Sequence, residues 1–544
     1  MWAQVPLPVP QPAPLEQRLS WNGETWVGAW RQWRDAQGRL RFAISDQDLT
    51  QRLGMRLRSN RRPQEQAVVW FSPVQNLAVS WHPQFTRRYL DVTDLFAAVG
   101  WQVQVQGNQL TITAPVAQIQ GIRQSARRTV VDVDRPVPYQ VQTLGQRTVV
   151  RILAPGRSEL RQQVADVQFS DRATVLTFDQ PMQATTLPDP PRVVIEPRTP
   201  ENLDIQWASG LRWRQGQVQG FPVTWLEIDP QQYTMRPVWD STQGQPGLAA
   251  LPALVQQAQG VAAINGGFFN RQTQLPLGAI RVEGQWYSSP ILQRGIAAWN
   301  DRGQMVFGRA QLQEQVRVNQ ETPLVLQALN SGFVQRGVAR YTAHWGAYYT
   351  PLTPNETVIR IEQDRVVGVV TGELIPIPLN GYLLVGRGLN GLDRQFPAGA
   401  TVQLRQQLTP SLLQNYPHAL GAGPLLLQRG QVVLNAEQEQ FQPFFIRQRA
   451  PRSGLAVNRQ GRWLWVTVSG SEQAQQGPTL TEWTRILQEL GAVSALNLDG
   501  GSSTGLVLGG QVLVNGGRIH NALVLRRITP QPSQPSPNDL RTRK

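Results

Sequence analysis

Apolar and polar residues alternate in short runs along most of this chain, and the period of two predicts half-buried β-strands. The pattern is clearest between residues 116 and 200, in stretches such as RTVVDVDRPVPYQVQTLGQRTVVRILAPG and ATVLTFDQPM. There it predicts successive strands of a β-sandwich. Residues 16–115 hold Trp-rich short strands broken by Asn-Gly and Gln-Gly turns, together with two helical stretches at 46–53 and 91–99. Each of those helices runs into a glycine and an extended segment, the order expected of small α+β units. A longer helix is predicted where Leu480, Trp483, Ile486, Leu487 and Leu490 recur at helical spacing. Thr479-x-x-Glu482 supplies its capping box and Gly491 its C-cap. That helix feeds a strand at 492–498, which leaves Asp499 at the strand's carboxyl end, followed by Gly500-Gly501-Ser502-Ser503-Thr504-Gly505.

The last five of these residues spell G-x-S-x-G, the nucleophile elbow of serine hydrolases. The elbow requires a helix after the serine. Here Leu506-Val507-Leu508, Gly509-Gly510 and Val512-Leu513-Val514 read as strand, two-residue turn and strand. No acidic residue lies between Ser503 and His520, so a serine triad also lacks its acid. What remains is a carboxylate at the mouth of a sheet, with glycines that let a ligand approach backbone N–H groups. The plain alternative is that Asp499-Gly500 is only a turn.

Composition changes this picture modestly. A length of 544 residues suggests roughly three or four domains. With 40% apolar residues and 18 Trp the chain can fill proper cores. No uninterrupted run of about 18 apolar residues occurs, so no membrane span is expected. The net charge of +15 raises nucleic acid as a partner, but the cations are arginines scattered through the chain, Lys544 being the single lysine. Without a basic stripe interleaved with aromatics, nucleic acid is not expected, and a polyanionic wall polymer fits the diffuse charge as well. Zero cysteines exclude disulfides and thiolate metal sites. Four scattered histidines make no zinc set, and His418 and His520 read as packed or exposed rather than catalytic. No metal or cofactor is therefore assigned, although calcium, which binds carbonyl oxygens without a spacing rule, stays open. No signal peptide is visible at MWAQVPLPVPQPAPLEQ, which reads as an extended Pro-rich arm. TPQPSQPSPNDLRTRK reads as a disordered tail.

Beyond residue 205 the strand-then-glycine-loop device repeats: GVAAINGGFFN at 260–270, PLNGYLLVGRG at 378–388, HALGAGPLLLQRGQ at 418–431, and APRSGLAVNRQGRWLWVTVSG at 450–470. Taken together, Asn265-Gly266-Gly267-Phe268-Phe269, Gly421-Ala422-Gly423-Pro424, Pro451-Arg452-Ser453 and Asn497-Leu498-Asp499-Gly500-Gly501-Ser502-Ser503 resemble the phosphodiester glycosidase family over residues 205–528. Arg518 and Asn521 match its closing Arg-x-x-Asn, with Ile519-His520 in place of the usual Pro-containing spelling. Ser453 stands where Thr is common in the family. The animal member of that family is the lysosomal uncovering enzyme, which removes N-acetylglucosamine from phosphate on glycoprotein mannose. In the front region, LDVTDLFAAVGWQVQVQGNQLTITAP is similar to the copper amine oxidase N-terminal-like repeat, without copper ligands, and residues 116–204 resemble the wall-targeting AMIN module.

The resemblance implies an α+β protein whose mixed-sheet catalytic domain with glycine-rich loops is preceded by small α+β and β-sandwich-like accessory domains. The expected division is an arm at 1–15, accessory units at 16–115 and 116–204, a catalytic domain at 205–528 and a tail at 529–544. The implied activity is hydrolysis of a sugar-1-phosphodiester on a cell-envelope or extracellular glycan, with a periplasmic or extracellular location and peptidoglycan or another wall polymer as a further partner. Glycosidic cleavage needs a carboxyl group, and a phosphodiester needs cations and N–H donors. Asp499 is the catalytic candidate. Asn265, Gly266, Gly267, Arg452, Asn497, Gly500, Gly501, Ser502, Arg518 and Asn521 are the candidate substrate contacts, with Arg452 expected to pair bidentately with phosphate. A second carboxylate is unassigned, although Glu373 stands shortly before PLNGYLLVG. The rival reading is a non-catalytic wall-binding or structural protein that keeps the fold.

Overall fold

The structure is a computed structural model that describes residues 17–528, apart from 85, 126, 158–159, 161–165, 241–246, 320 and 471–475. The expected arm and tail lie outside the described residues. The chain forms two compact units that divide at residues 199 and 200. Strands predominate in both, with short helices between them.

In the front unit, Arg18–Trp21 pairs in parallel with Gln109–Thr113, so the beginning and end of the first region share one four-stranded sheet. A six-stranded sheet has Trp30–Arg34 at one edge. The two expected helices form at Asp46–Gln51 and Thr93–Ala98. The second starts later than its pattern suggests because Asp91 closes strand Arg88–Asp91 and its carboxylate accepts from both the Thr93 N–H and the Thr93 hydroxyl. Residues 119–197 make two four-stranded antiparallel sheets. The predicted alternation appears there directly, Val131, Val133, Val150 and Ile152 being buried while their neighbours face outward.

The second unit carries the glycine loops. Its largest sheet has eight strands and includes Phe221–Ile228, Trp463–Val468, Arg452–Asn458, Ala492–Asn497 and Leu425–Gln428 in that spatial order. Helix Leu480–Glu489 lies on it, its capping box intact, and buries Trp483, Ile486 and Leu487 against Leu464, Val466, Ala456 and Ala495. Trp483 sits so close over Gly454 that a Cβ there would come within 2.8 Å of the indole. Burying an indole of this size is worth several kcal/mol, on the order of 3, in water-excluded area. A five-stranded sheet joins Tyr233–Trp239, Asn521–Arg527, Ala262–Asn265, Leu506–Leu508 and Gln511–Val514. Leu506–Leu508 follows the serine loop as a strand, which leaves no helix for a nucleophile elbow. Three further sheets complete the described part of the unit: one built around His418–Gly421, one of seven strands from Gln311 to Thr409, and a two-stranded pair of Tyr348–Tyr349 with Ile375–Pro376. Among the described residues no helix is long and apolar enough to cross a membrane.

Candidate active site

The ends of two strands from different sheets meet at the Asp499 loop. Ala492–Asn497 arrives from the eight-stranded sheet and Ala262–Asn265 from the five-stranded one. Asn265 ties them together. Its Oδ1 accepts from the Ser453 hydroxyl at 2.7 Å and from the Gly505 N–H at 3.1 Å, and its Nδ2 donates to the Asp499 carbonyl at 2.6 Å. The Asp499 N–H in turn donates to the Gly266 carbonyl at 3.0 Å. The hydroxyl that Ser453 retains in place of Thr is therefore part of the brace.

The neighbouring motif residues brace the same junction. Asn497 donates to the Gly423 and Leu498 carbonyls, both at 2.8 Å. Asn521 accepts the Gly267 N–H on its side chain at 2.8 Å and the Gly266 N–H on its carbonyl at 2.9 Å. A Cβ on Gly266 would lie 2.1 Å from the Asn521 Oδ1, and one on Gly267 would lie 2.5 Å from the Gly421 carbonyl oxygen. These glycines admit protein backbone rather than ligand. Asn265, Asn497 and Asn521 are at most 2% exposed. Asn265, Gly266, Gly267, Asn497 and Asn521 therefore all make hydrogen bonds within the fold at this junction, while the Asn497 Oδ1 is buried without a partner among the described residues.

Arg452 also bonds within the fold. It is 1% exposed, and its guanidinium donates to the Pro478 carbonyl at 3.3 Å and the Gln448 carbonyl at 2.7 Å while lying 5.4 Å from the Phe445 ring centre. Burial pushes its pKa down to about 10, which leaves it charged at neutral pH. Arg518 is exposed but donates to the Leu248 carbonyl. His520 is buried, its Nδ1 3.1 Å from the Asn521 amide nitrogen, and burial pushes its pKa down to about 4, so the ring is neutral. Glu373 is exposed beyond the end of strand Arg365–Val370.

The loop's own backbone is also partly engaged. The Gly500 N–H donates to Asp499 Oδ1 at 3.0 Å and the Gly501 N–H to the Pro451 carbonyl at 2.8 Å. The expected anion-binding concavity of successive N–H groups is therefore filled by the protein's own acceptors at those two positions. Gly501 has φ +59°, the left-handed region that turns the chain into the short helix Gly501–Ser503.

What reaches solvent is the rim: the half-buried Asp499, the exposed Ser502, and Arg271, which no motif had marked. Burial drives the Asp499 carboxyl pKa up to about 6, against the opposing pull of hydrogen bonds from Ser503 and Gly500 and of the Arg271 charge. Arg271 donates to the Ser502 Oγ at 3.2 Å. Both side chains are open to solvent, and a hydroxyl that accepts from a guanidinium keeps its own proton to donate. A carboxyl group that titrates near neutrality beside an exposed guanidinium can exchange a proton while an anion sits on the cation.

A family model described as phosphodiester glycosidase matches residues 355–528. Residues 355–528 thus carry a phosphodiester glycosidase domain. Asp499, Ser502, Arg452, Asn497, Arg518 and Asn521 fall inside the matched segment, whereas Asn265 and Arg271 lie outside it. A crystal structure of a hypothetical protein from Synechocystis is 36% identical with a TM-score of 0.86, covering 94% of this chain and 99% of that one. The zebrafish N-acetylglucosamine-1-phosphodiester alpha-N-acetylglucosaminidase catalytic domain, auto-inhibited by its pro-peptide, is 14% identical with a TM-score of 0.29, covering 60% of this chain and 82% of that one. No curated protein matches the chain. The family is one of glycoside hydrolases, which makes a glycan-type substrate the family-level expectation.

Proposed function

We propose that the protein hydrolyses a sugar-1-phosphodiester, with Asp499 as the carboxyl group of the reaction and Arg271 with Ser502 as the phosphate receiver. The observation that carries this reading is the pairing of a carboxyl poised near pH 6 with an exposed guanidinium on the same rim. In the reaction Asp499 takes a proton from water, the water oxygen bonds to the anomeric carbon, and the bond from that carbon to the phosphate oxygen breaks. The free sugar and a phosphomonoester are the products. Phosphate leaves readily without a strong acid behind it, so one carboxylate suffices for a base-assisted displacement. Arg271 presents planar donors to two phosphate oxygens, and the Ser502 hydroxyl supplies a further one.

The substrate, in this reading, is carried on a cell-envelope or extracellular glycan, in a periplasmic or extracellular setting, and the front unit retains the enzyme on wall polymer. The exposed side chains of the edge strand Trp30–Arg34, with Trp33 37% exposed between Arg31 and Arg34, support that division of labour. The test is to assay the purified full chain against a panel of sugar-1-phosphodiesters at pH 5 to 8. Release of sugar that depends on Asp499 supports the proposal; a chain that hydrolyses no member of the panel refutes it and favours the non-catalytic wall-binding reading.

A further inference from the structure

Three aromatic rings from three different sheets converge without entering any core. Trp239 ends strand Tyr233–Trp239, Tyr287 lies on strand Gln285–Ser288, and His344 follows strand Gly337–Thr342. The Trp239 and Tyr287 ring centres are 4.7 Å apart at 60°, and those of Tyr287 and His344 are 4.5 Å apart at 58°. Trp239 and Tyr287 are half-buried and His344 is exposed. By contrast, Tyr341, Trp345 and Tyr349 in the same unit are buried against one another.

We infer that Trp239, Tyr287 and His344 form a carbohydrate subsite that takes a second sugar ring of an extended glycan, an inference that rests on the glycosidase reading above. Position is the first argument. Trp239 pairs directly with Asn521 across antiparallel strands, so the two side chains share a face, and Asn521 is the residue that holds Gly267. The row therefore begins about 5 Å, one strand spacing, from an element that frames the loop. Chemistry is the second. A pyranose shows C–H bonds on its face and hydroxyls around its edge, and aromatic faces with polar tips complement both. Among the described residues neither the Trp239 indole N–H nor the Tyr287 hydroxyl has a hydrogen-bond partner or is buried unsatisfied, which leaves both for sugar hydroxyls. Burial and the Arg340 charge hold His344 below its ordinary pKa, so at neutral pH its ring adds a neutral face.

The experiment is calorimetric titration of the full chain with the tetraoses of glucose in β-1,4 and α-1,4 linkage and of N-acetylglucosamine, with the monosaccharides as controls. At least one tetraose should bind more tightly than its monosaccharide. Trp239→Ala and Tyr287→Ala should each weaken it by about tenfold or more, while Tyr287→Phe, which keeps the ring, should stay within about threefold. His344→Ala, at the exposed end, should weaken binding by about threefold and keeps the test available should Trp239→Ala unfold. Binding by none of the tetraoses, or parental affinity in alanine variants that melt normally, overturns the subsite. The two readings fail separately. Tetraose binding through Trp239 in a chain that hydrolyses no phosphodiester would overturn the hydrolase reading and leave the subsite standing.

Discussion

Arg452 and Arg271 both adjoin the Asp499 loop, and the fold treats them oppositely. Arg452, the motif residue, is buried with its guanidinium on two backbone carbonyls. Arg271, in a loop with no motif status, is exposed, reaches Ser502 and draws on that carboxyl. The same contrast separates the whole floor of the loop, Asn265, Ser453, Asn497 and Asn521, from its rim, Asp499, Ser502 and Arg271. The floor fixes where a carboxylate sits, and the rim meets what comes to it. A recognisable motif can therefore record architecture as faithfully as chemistry.

The largest effect that tests this division is on turnover. Asp499→Asn keeps size and shape but removes the titrating group, so hydrolysis should fall by about a hundredfold or more while the melting transition persists. An asparagine variant that hydrolyses at the parental rate makes Asp499 a turn residue and abolishes the distinction between floor and rim. In the parent, kcat/KM should fall as pH drops through about 6, because a base must be ionised to accept a proton. A profile that instead falls as pH rises through that value would make Asp499 the acid.

Next in size is the floor. Asn265→Ala deletes three hydrogen bonds in a fully buried position and strands the Ser453 hydroxyl and the Gly505 N–H, at a cost of about 2–4 kcal/mol in stability. Denaturant unfolding should show it as a lower midpoint with an unchanged slope. Unchanged stability would mean that the two sheets are joined by something other than this side chain.

How much of this was legible beforehand follows from how local each signal is. Helix Leu480–Glu489 and the strand after it could be read because capping box, apolar period and terminal glycine lie within about a dozen consecutive residues. The Asp499 loop was visible for the same reason. Arg271 was not, since its place on the rim comes from meeting a serine 231 residues away and no pattern around it differs from that of a solvated arginine. The asparagines were found, but the hydrogen bonds they make within the fold were not, because a sequence shows that an amide belongs to a motif and not which groups it meets. The neighbour order of the eight-stranded sheet, in which Phe221–Ile228 pairs with Trp463–Val468, depends on a pairing that local alternation cannot encode.

A smaller effect separates the two arginines themselves. Arg271→Lys keeps the charge and loses the fork, so it should raise KM by about tenfold with little change in melting. Arg452→Lys should leave KM near the parental value and lower stability by about 1–3 kcal/mol, since an ammonium group cannot serve both carbonyls from the same position. Steady-state kinetics and thermal melting on the same two proteins decide it. If the effects are exchanged, Arg452 is the phosphate ligand after all.

The smallest expected effect concerns what the rim costs the fold. The Asp499 carboxyl titrates near pH 6 in the folded protein and near 3.9 in an unfolded chain, so the folded state holds the proton more tightly. Its contribution to stability is therefore fully present below about pH 4, is lost as pH rises to about 6, and stays lost above that. Because the side chain is partly open to water, the swing is about 1–2 kcal/mol rather than the full value implied by the shift. Asp499→Asn cannot titrate, so its stability should rise relative to the parent between pH 4 and 6 and hold that advantage at pH 7.5, where it should melt about 1–3 °C higher. The comparison requires melting curves of both proteins at pH 4 and 7.5. Parallel behaviour at the two pH values would mean that water solvates the carboxylate freely, and a freely solvated carboxylate would be ionised well below pH 6 and could not set the activity limb expected there.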